Sequence, residues 1–199
     1  MFAELLGARL SGIVNLSPNQ TATLEAHYEL LLRWNRTLNL TRVSTVEEAV
    51  ERHYCESLFL AAHLPPGILR IADIGSGAGF PGFPVAIARP DCHVTLIESH
   101  KRKAVFLREA SRGVPNVRVL SQRAETVGER FDHAISRAVS YEDLLKPVKH
   151  LAVTVDLLTG GEAPPVSMPI EWEPAGPLPW GKYRFLRIGR VRSKREPEV

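Results

Sequence analysis

The stretch Leu69-Arg70-Ile71-Ala72-Asp73-Ile74-Gly75-Ser76-Gly77-Ala78-Gly79-Phe80-Pro81-Gly82 constrains this chain more than any other. A short apolar run ends at Asp73, three glycines follow at alternate positions, and a helical pattern then begins. This order reads as strand, tight turn, helix. Glycine lets the backbone turn sharply and approach a ligand with no Cβ in the way. A helix start also offers N–H groups without intrahelical partners. The stretch therefore reads as the loop for an adenine-nucleoside cofactor, against the alternative of an ordinary glycine-rich turn.

The register of the glycines discriminates among cofactors. A dinucleotide fingerprint needs G-x-G-x-x-G, and the last position of that frame is Phe80 here. Asp73, two residues before Gly75, is a further difference. D-x-G-x-G-x-G at the end of a first strand resembles motif I of class I S-adenosylmethionine-dependent methyltransferases. Glu98, about twenty residues past the glycines, falls where a carboxylate accepts both ribose hydroxyls in nucleotide-binding sheets.

The 199 residues suit one α/β domain with an extension. Hydrophobic residues make up 44% and charged residues 24% of the chain, as in soluble globular proteins. No apolar run has the length of a membrane span, and no export signal is read at the N-terminus. Cys55 and Cys92 lack metal-site spacing and fit a reducing cytoplasm better than a disulfide framework. The net charge is only +3, yet 100–123 holds seven Lys or Arg against one acid, and 182–199 holds seven against two. Two such patches point to a polyanionic partner or to a solubilising surface.

Ser17-Pro18-Asn19-Gln20 reads as a capping box with proline in the first turn. Leu24, Tyr28, Leu31 and Leu38 recur behind it at helical spacing, and the helix should end between Asn35 and Asn39. Ser44 with Glu47 is a second capping signature, for a helix with Val50, Tyr54, Leu58 and Ala61 on one side. Residues 1–66 are thus expected to be an all-helical extension. From Leu69 strands and helices alternate, which implies a parallel sheet. The strands are placed at 69–74, 94–98, 117–121, 131–136 and 152–158, with one more near Ile170–Trp172 and a last one at 183–190. Helices are placed at 81–88 and 101–113, and a third is capped by Ser140 and Asp143. The α/β core is expected over 67–191 and a charged tail over 192–199.

Ala124 and Glu125 follow the third strand, where a backbone N–H and a polar side chain commonly read an adenine edge. The tip of the fourth strand should face the transferred methyl, and Arg137 stands there, suited to a phosphate or a methionine carboxylate. That tip carries neither an Asn-Pro-Pro-Tyr-like element for exocyclic amines nor a Pro-Cys nucleophile for pyrimidine C5. Lys101, Arg108 and Arg112 fall in one stripe of the helix at 101–113, opposite Phe106, Leu107 and Ala110. The stripe is a candidate phosphate contact or a solvated face. Trp34 reads as core, and Asn35, Asn39 and Thr41 as caps. His53 and His133 have no partners at metal spacing, so no metal is expected.

Trp34-Asn35, Asn39-Leu40-Thr41, Arg52-His53, Ser57-Leu58, the glycine motif extended by Phe80-Pro81-Gly82, and Ser136-Arg137-Ala138 occur in that order. Over roughly 20–160 this set resembles the RsmG (GidB) family of bacterial small-subunit ribosomal RNA methyltransferases. The resemblance implies a class I methyltransferase fold, Rossmann-like with a mostly parallel sheet and an N-terminal helical extension. It implies transfer of a methyl group from S-adenosylmethionine to N7 of one guanosine in 16S rRNA. Cofactor contacts are then expected at Asp73, Gly75, Gly77, Gly79, Phe80, Glu98, Ala124, Glu125 and Arg137. Substrate RNA contacts are expected among Arg33, Asn39, Arg52, His53, Lys101, Arg108 and Arg112. Guanine N7 has a lone pair and no proton to lose, so no general base is required, and Arg137 is the nearest catalytic candidate. The partner is 16S rRNA or the small ribosomal subunit, the location cytoplasmic, and the protein a monomer.

Two positions depart from the family. Glu56-Ser57 stands for Asp-Ser, and Thr159-Gly160 for Lys-Gly, with a slightly shortened segment before it. A methyltransferase for another RNA or a protein, and a non-catalytic ribosome- or RNA-binding protein, are the alternatives. An NAD-dependent oxidoreductase is disfavoured by Phe80 and Asp73.

Overall fold

The computed structural model describes residues 1–192; the tail expected at 192–199 lies outside them except for Arg192. Helix α1 spans Phe2–Leu10 and buries Phe2, Leu6 and Leu10, one residue per turn. The sequence reading missed it, because nine residues with Gly7 among them give little periodicity to read. Helix α2 spans Pro18–Asn35 and starts in the expected box. Ser17 Oγ accepts from the Gln20 N–H at 3.2 Å, and the Gln20 side chain accepts from the Ser17 N–H at 2.8 Å.

The second helical stretch starts one residue later than expected, because Thr45 caps it, with Oγ1 accepting from the Glu48 N–H at 3.2 Å. It runs as α3 (Val46–Ala49), a π turn (Val50–Cys55) and α4 (Glu56–His63). Val50, Tyr54, Leu58 and Ala61 are buried as expected. His53 through Leu58 are all buried too, so this helix is enclosed on nearly every side. π turns recur at functional sites, and this one carries Arg52 and His53.

The α/β part contains β1 (Arg70–Ile74), α5 (Gly82–Ala88), β2 (His93–Ile97), α6 (Lys101–Ala110), β3 (Val117–Leu120), β4 (Phe131–Arg137), α7 (Tyr141–Leu151) and β5 (Ala152–Thr159). The short strands β6 (Ile170–Trp172) and β7 (Gly176–Pro177) and the longer β8 (Phe185–Val191) follow. Helix α6 ends at Ala110 rather than Gly113. The Arg112 N–H bonds back only three residues, to the Glu109 carbonyl, and Gly113 turns left-handed at φ +85°. Arg112 is therefore in a turn, outside the helical stripe expected for it.

The sheet order is β3-β2-β1-β4-β5-β8-β6, with β7 on β8. Strands β1 to β5 pair in parallel, and β8 pairs antiparallel with both β5 and β6. The chain order reverses at β1, between β2 and β4. Open α/β sheets bind ligands outside the carboxyl ends of their strands at that point. Strand β1 buries both faces, as parallel strands covered by helices do. Ile71 joins Phe80, Phe83 and Phe106 on the side of the N-terminal helices, while Ala72 and Ile74 join Leu144, Val148 and Leu151 on the side of α7.

Candidate functional site

The glycine loop leaves β1 at the switch point. Gly75, Gly77 and Gly79 all have positive φ, at 70°, 55° and 90°. Its N–H groups bond inside the protein: those of Gly75 and Ser76 donate to the Ile97 carbonyl at 3.0 and 3.1 Å. The Gly77 N–H donates to Glu98 Oε2 at 2.9 Å, and the Gly82 N–H to Asp73 Oδ2 at 3.0 Å. Asp73 thereby occupies the start of α5, the place where a phosphate would sit in an anion-binding loop. The side chains facing the loop from the ends of β1 and β2 are carboxylates, which suits a neutral or cationic nucleoside over a polyphosphate.

Asp73 is fully buried, and its Oδ1 has no hydrogen-bond partner. Burial pushes its pKa up to about 7, against the opposing effect of its Ser76 and Gly82 contacts. Gly82 has to be glycine for space. A Cβ there would lie 2.5 Å from Leu96 Cδ2 and 2.6 Å from Asp73 Oδ2. Glu98 is at the end of β2 as expected, with both oxygens already engaged. Oε2 takes Gly77, and Oε1 accepts from the His100 N–H at 2.7 Å, at the start of α6. Its remaining lone pairs are what a ribose would use.

Gly75 borders a cavity of about 240 Å³ lined also by Ile97, Ser99, Gln122, Arg123, Ala124, Glu125, Val139 and Asp143 among others. Ala124 and Glu125 form a short 3-10 turn there, Ala124 buried and Glu125 exposed. The cavity, the orphaned Asp73 Oδ1 and the carboxylate set fit an adenine nucleoside carrying a positive charge.

The π turn meets the tip of β4 beside Phe80. His53 stacks on Phe80 with centroids 4.7 Å apart, and the Arg137 guanidinium lies 5.2 Å from the same ring centroid. Arg137 donates to the Arg52 carbonyl, and its Nη1 lies 2.6 Å from His53 Nδ1. His53 Nε2 lies 2.7 Å from Thr41 Oγ1. The loop carrying Thr41 is held by Asn35: Oδ1 accepts from the Leu40 and Thr41 N–H groups at 2.8 and 3.0 Å, and Nδ2 donates to the Thr41 carbonyl at 3.0 Å. Burial first, and the Arg137 charge second, lower the His53 pKa to about 3, so the ring is neutral. Burial lowers Arg137 to about 10, which leaves it charged at neutral pH.

The sequence-predicted residues fall into separate groups. Asp73, Gly77, Gly79 and Glu98 build the loop, Gly75, Ala124 and Glu125 line the cavity, and Phe80, Arg137, His53 and Arg52 meet at the strand tip. Arg52 is exposed and pairs with Glu48 at 2.9 Å. Asn39 is exposed in the turn after α2, while Asn35 does the capping. Lys101 and Arg108 are exposed on α6. Arg33 and Arg112 border a separate groove of about 910 Å³ between α2 and the ends of α5 and α6, so the structure does not bring them to the strand tip.

Sequence reasoning missed the support beneath the loop. His27 is buried and lies 3.1 Å, through Nε2, from the Ala78 carbonyl, and 2.7 Å, through Nδ1, from Tyr54 Oη. A carbonyl only accepts, so Nε2 carries the proton and the tyrosine donates to Nδ1. Burial holds its pKa at about 3. His27 also stacks on Phe83 at 4.4 Å. The available signal was a polar residue on each of two apolar helix stripes, His27 and Tyr54. Among the described residues there is no group of three or more His, Cys, Asp or Glu placed to hold a metal, and no helix long and apolar enough to cross a membrane.

Residues 20–156 match the family described as rRNA small subunit methyltransferase G. The chain is 40% identical over 154 residues to ribosomal RNA small subunit methyltransferase G of Chromobacterium violaceum, covering 75% of this chain and 73% of that protein. It is 44% identical over 132 residues to the protein of the same name from Nitrosomonas europaea, covering 63% of this chain and 60% of that one. The fold is similar to that of a SAM-dependent methyltransferase from Aquifex aeolicus (TM-score 0.58, 17% identity, 72% of this chain and 93% of the other). It is also similar to the Methanococcus jannaschii fibrillarin pre-rRNA processing protein (TM-score 0.52, 16% identity, 63% and 67%). A family match over most of the chain, which spans the loop and the strand tip, shows that this chain belongs to the rRNA small subunit methyltransferase G (GidB) family.

Proposed function

We propose that the protein transfers a methyl group from S-adenosylmethionine to N7 of a guanosine in 16S rRNA. The observation that carries this reading is the loop whose N–H groups are closed by Asp73 and Glu98, with Arg137 and a neutral His53 at the adjacent strand tip. When bound, the cofactor supplies an electrophilic methyl group on a sulfonium. Glu98, Gly75, Gly77, Ala124 and Glu125 hold its nucleoside half, with Asp73, Gly79 and Phe80 shaping the loop.

Guanine N7 attacks with an in-plane lone pair and gives up no proton. The protein needs to align the two reactants more than to exchange protons with them. His53 agrees with that requirement, since both ring nitrogens are committed to Arg137 and Thr41. It is a positioning residue, and Arg137 is the group it positions. The remaining guanidinium donors of Arg137 hold the methionine carboxylate or an RNA phosphate. Phe80 and the His53 ring exclude water on that side. The Glu98 carboxylate, joined by Asp73 once it ionises above about pH 7, favours the positive charge that passes from sulfonium to purine.

The reading includes a helical extension over 1–66 on a catalytic core over 67–191, and a cytoplasmic monomer whose partner is 16S rRNA or the small subunit. Exposed Lys101 and Arg108, with Arg52, Arg33, Asn39 and Arg112, supply the RNA-facing surface. Incubating the purified protein with small ribosomal subunits and methyl-labelled S-adenosylmethionine tests the reaction. Label in 7-methylguanosine supports it, and label in another nucleoside or in none overturns it.

A further inference from the structure

A second basic site lies at the opposite end of the sheet. Arg130 directly precedes β4, Lys149 is in the last turn of α7, and Arg190 and Arg192 are at the end of β8. Because β8 runs antiparallel to β5, its end comes back to where β4 and β5 begin. Phe131 is level with Ala152, and Thr154 with Arg190. The four cations line one cavity of about 610 Å³, whose other walls are Ala152, Val153, Pro169 and Val191. No acid lines it.

Two neighbouring arginines show what ordinary neutralisation at this end looks like. Arg70 and Arg118 both pair with Glu129, at 2.9 and 2.8 Å. Among the described residues none of Arg130, Lys149, Arg190 and Arg192 takes part in an ion pair. Glu171 is level with Arg190 across β6 and β8, yet the two are not within ion-pair distance. The end of α7 favours a cation at Lys149 through its dipole, but that leaves the three arginines unexplained. Four like charges around one concavity focus a positive potential that an anion relieves.

We propose that this cavity is a second docking site for RNA phosphates, remote from the methyl-transfer site. The proposal rests on the reading that the substrate is RNA. Arg137 is six positions beyond Phe131 along β4, so the two sites are about 20 Å apart at about 3.3 Å per residue. An RNA that touches both is a folded element or an assembled subunit, and the second site adds affinity without touching the reacting atoms.

The test is binding of labelled 16S rRNA and of small subunits by the full chain, across salt concentrations, with methyl transfer measured alongside. Arg130→Gln, Lys149→Gln and Arg190→Gln are compared with Arg130→Lys and Arg190→Lys. Each Gln variant should weaken RNA binding several-fold and lower the slope of log K against log salt by about 1. KM for the subunit should rise with kcat and S-adenosylmethionine affinity unchanged, and the Lys variants should retain binding. Unchanged RNA affinity and salt slope in the Gln variants, each with a wild-type melting temperature, overturn the proposal. So does weakened binding to subunits with unaltered binding to naked rRNA, which assigns the cavity to a ribosomal protein. Saturation by inorganic phosphate with no effect on RNA binding also overturns it. RNA binding does not depend on turnover. A wild type that binds RNA through these residues but forms no 7-methylguanosine sinks the functional reading and leaves this site standing.

Discussion

His53 Nδ1 lies 2.6 Å from a guanidinium nitrogen of Arg137, a residue 84 positions further along the chain. Arginine has no acceptor, so Nδ1 accepts, and the ring proton is on Nε2, donated to Thr41 Oγ1. One neutral tautomer therefore links the loop after α2, the π turn and the tip of β4. His53→Asn keeps an acceptor near the Nδ1 position, and His53→Ala keeps none. The expected result is a fall in kcat/KM of about 10- to 100-fold for Ala, or about 1.4 to 2.7 kcal/mol, with Asn retaining more activity than Ala. Equal activity of the two variants contradicts the positioning role.

The same link fixes a pH dependence. Burial and the Arg137 charge hold the His53 pKa at about 3, so the residue does not titrate between pH 5.5 and 8. The rate profile of the wild type should show no ionisation near the ordinary histidine value that disappears in His53→Ala. Finding one assigns His53 to proton transfer.

Asp73 gives a stability signature of definite sign. Its pKa is raised by burial from 3.8 to about 7 in the folded chain. Between about pH 4 and pH 7 the unfolded chain loses this proton while the folded chain keeps it. The contribution to stability is thus complete below pH 4 and is lost as pH rises through about 7. Asp73→Asn removes the ionisation, so the stability difference between pH 4.5 and pH 7.5 in denaturant titrations should shrink. Asp73→Ala also strands the Gly82 N–H, at about 1–3 kcal/mol, and should weaken S-adenosylmethionine binding more than tenfold by calorimetry. Unaltered affinity refutes the site assignment.

Gly82→Ala places a methyl group against Leu96 and the Asp73 carboxylate, both buried. Overpacking of this kind destabilises by about 1–3 kcal/mol. A lower melting temperature and weaker cofactor binding are expected together, because the same contact sets the loop and the start of α5.

Glu56 and Arg184 form a bidentate pair, Glu56 buried and Arg184 half-buried, with Arg184 Nε and Nη2 at 2.9 and 2.5 Å from the two carboxylate oxygens. Glu56 is only 2% exposed. Removing Arg184 leaves the buried Glu56 carboxylate uncompensated, worth about 3 kcal/mol or less, the low end for a buried pair because the arginine side is open to water. Arg184→Met should lower stability by roughly that order, and Glu56→Gln should recover part of the loss in the double variant. Additive losses argue against the pair.

Much of the fold was legible in the sequence. Ser17, Pro18 and Gln20 announced α2, and the alternation after Leu69 announced the parallel strands. Where local chemistry was ambiguous, the boundaries moved. Thr45 rather than Ser44 caps α3, since adjacent hydroxyls carry the same signal, and Arg112 fell beyond α6. The placement of β8 between β5 and β6 is a long-range pairing that no local pattern encodes. The loop residues Asp73 and Glu98 were found from spacing, but not that their oxygens already hold Gly82, Gly77 and His100. The π turn was illegible because the residues around it keep an α-helical spacing, and with it the meeting of Thr41, His53 and Arg137.

The measurement that tests the central claim most directly is nucleoside analysis of 16S rRNA from cells with and without this protein. The account predicts loss of one 7-methylguanosine in its absence, restored by the wild type. Unchanged 7-methylguanosine in the cells that lack it contradicts the account.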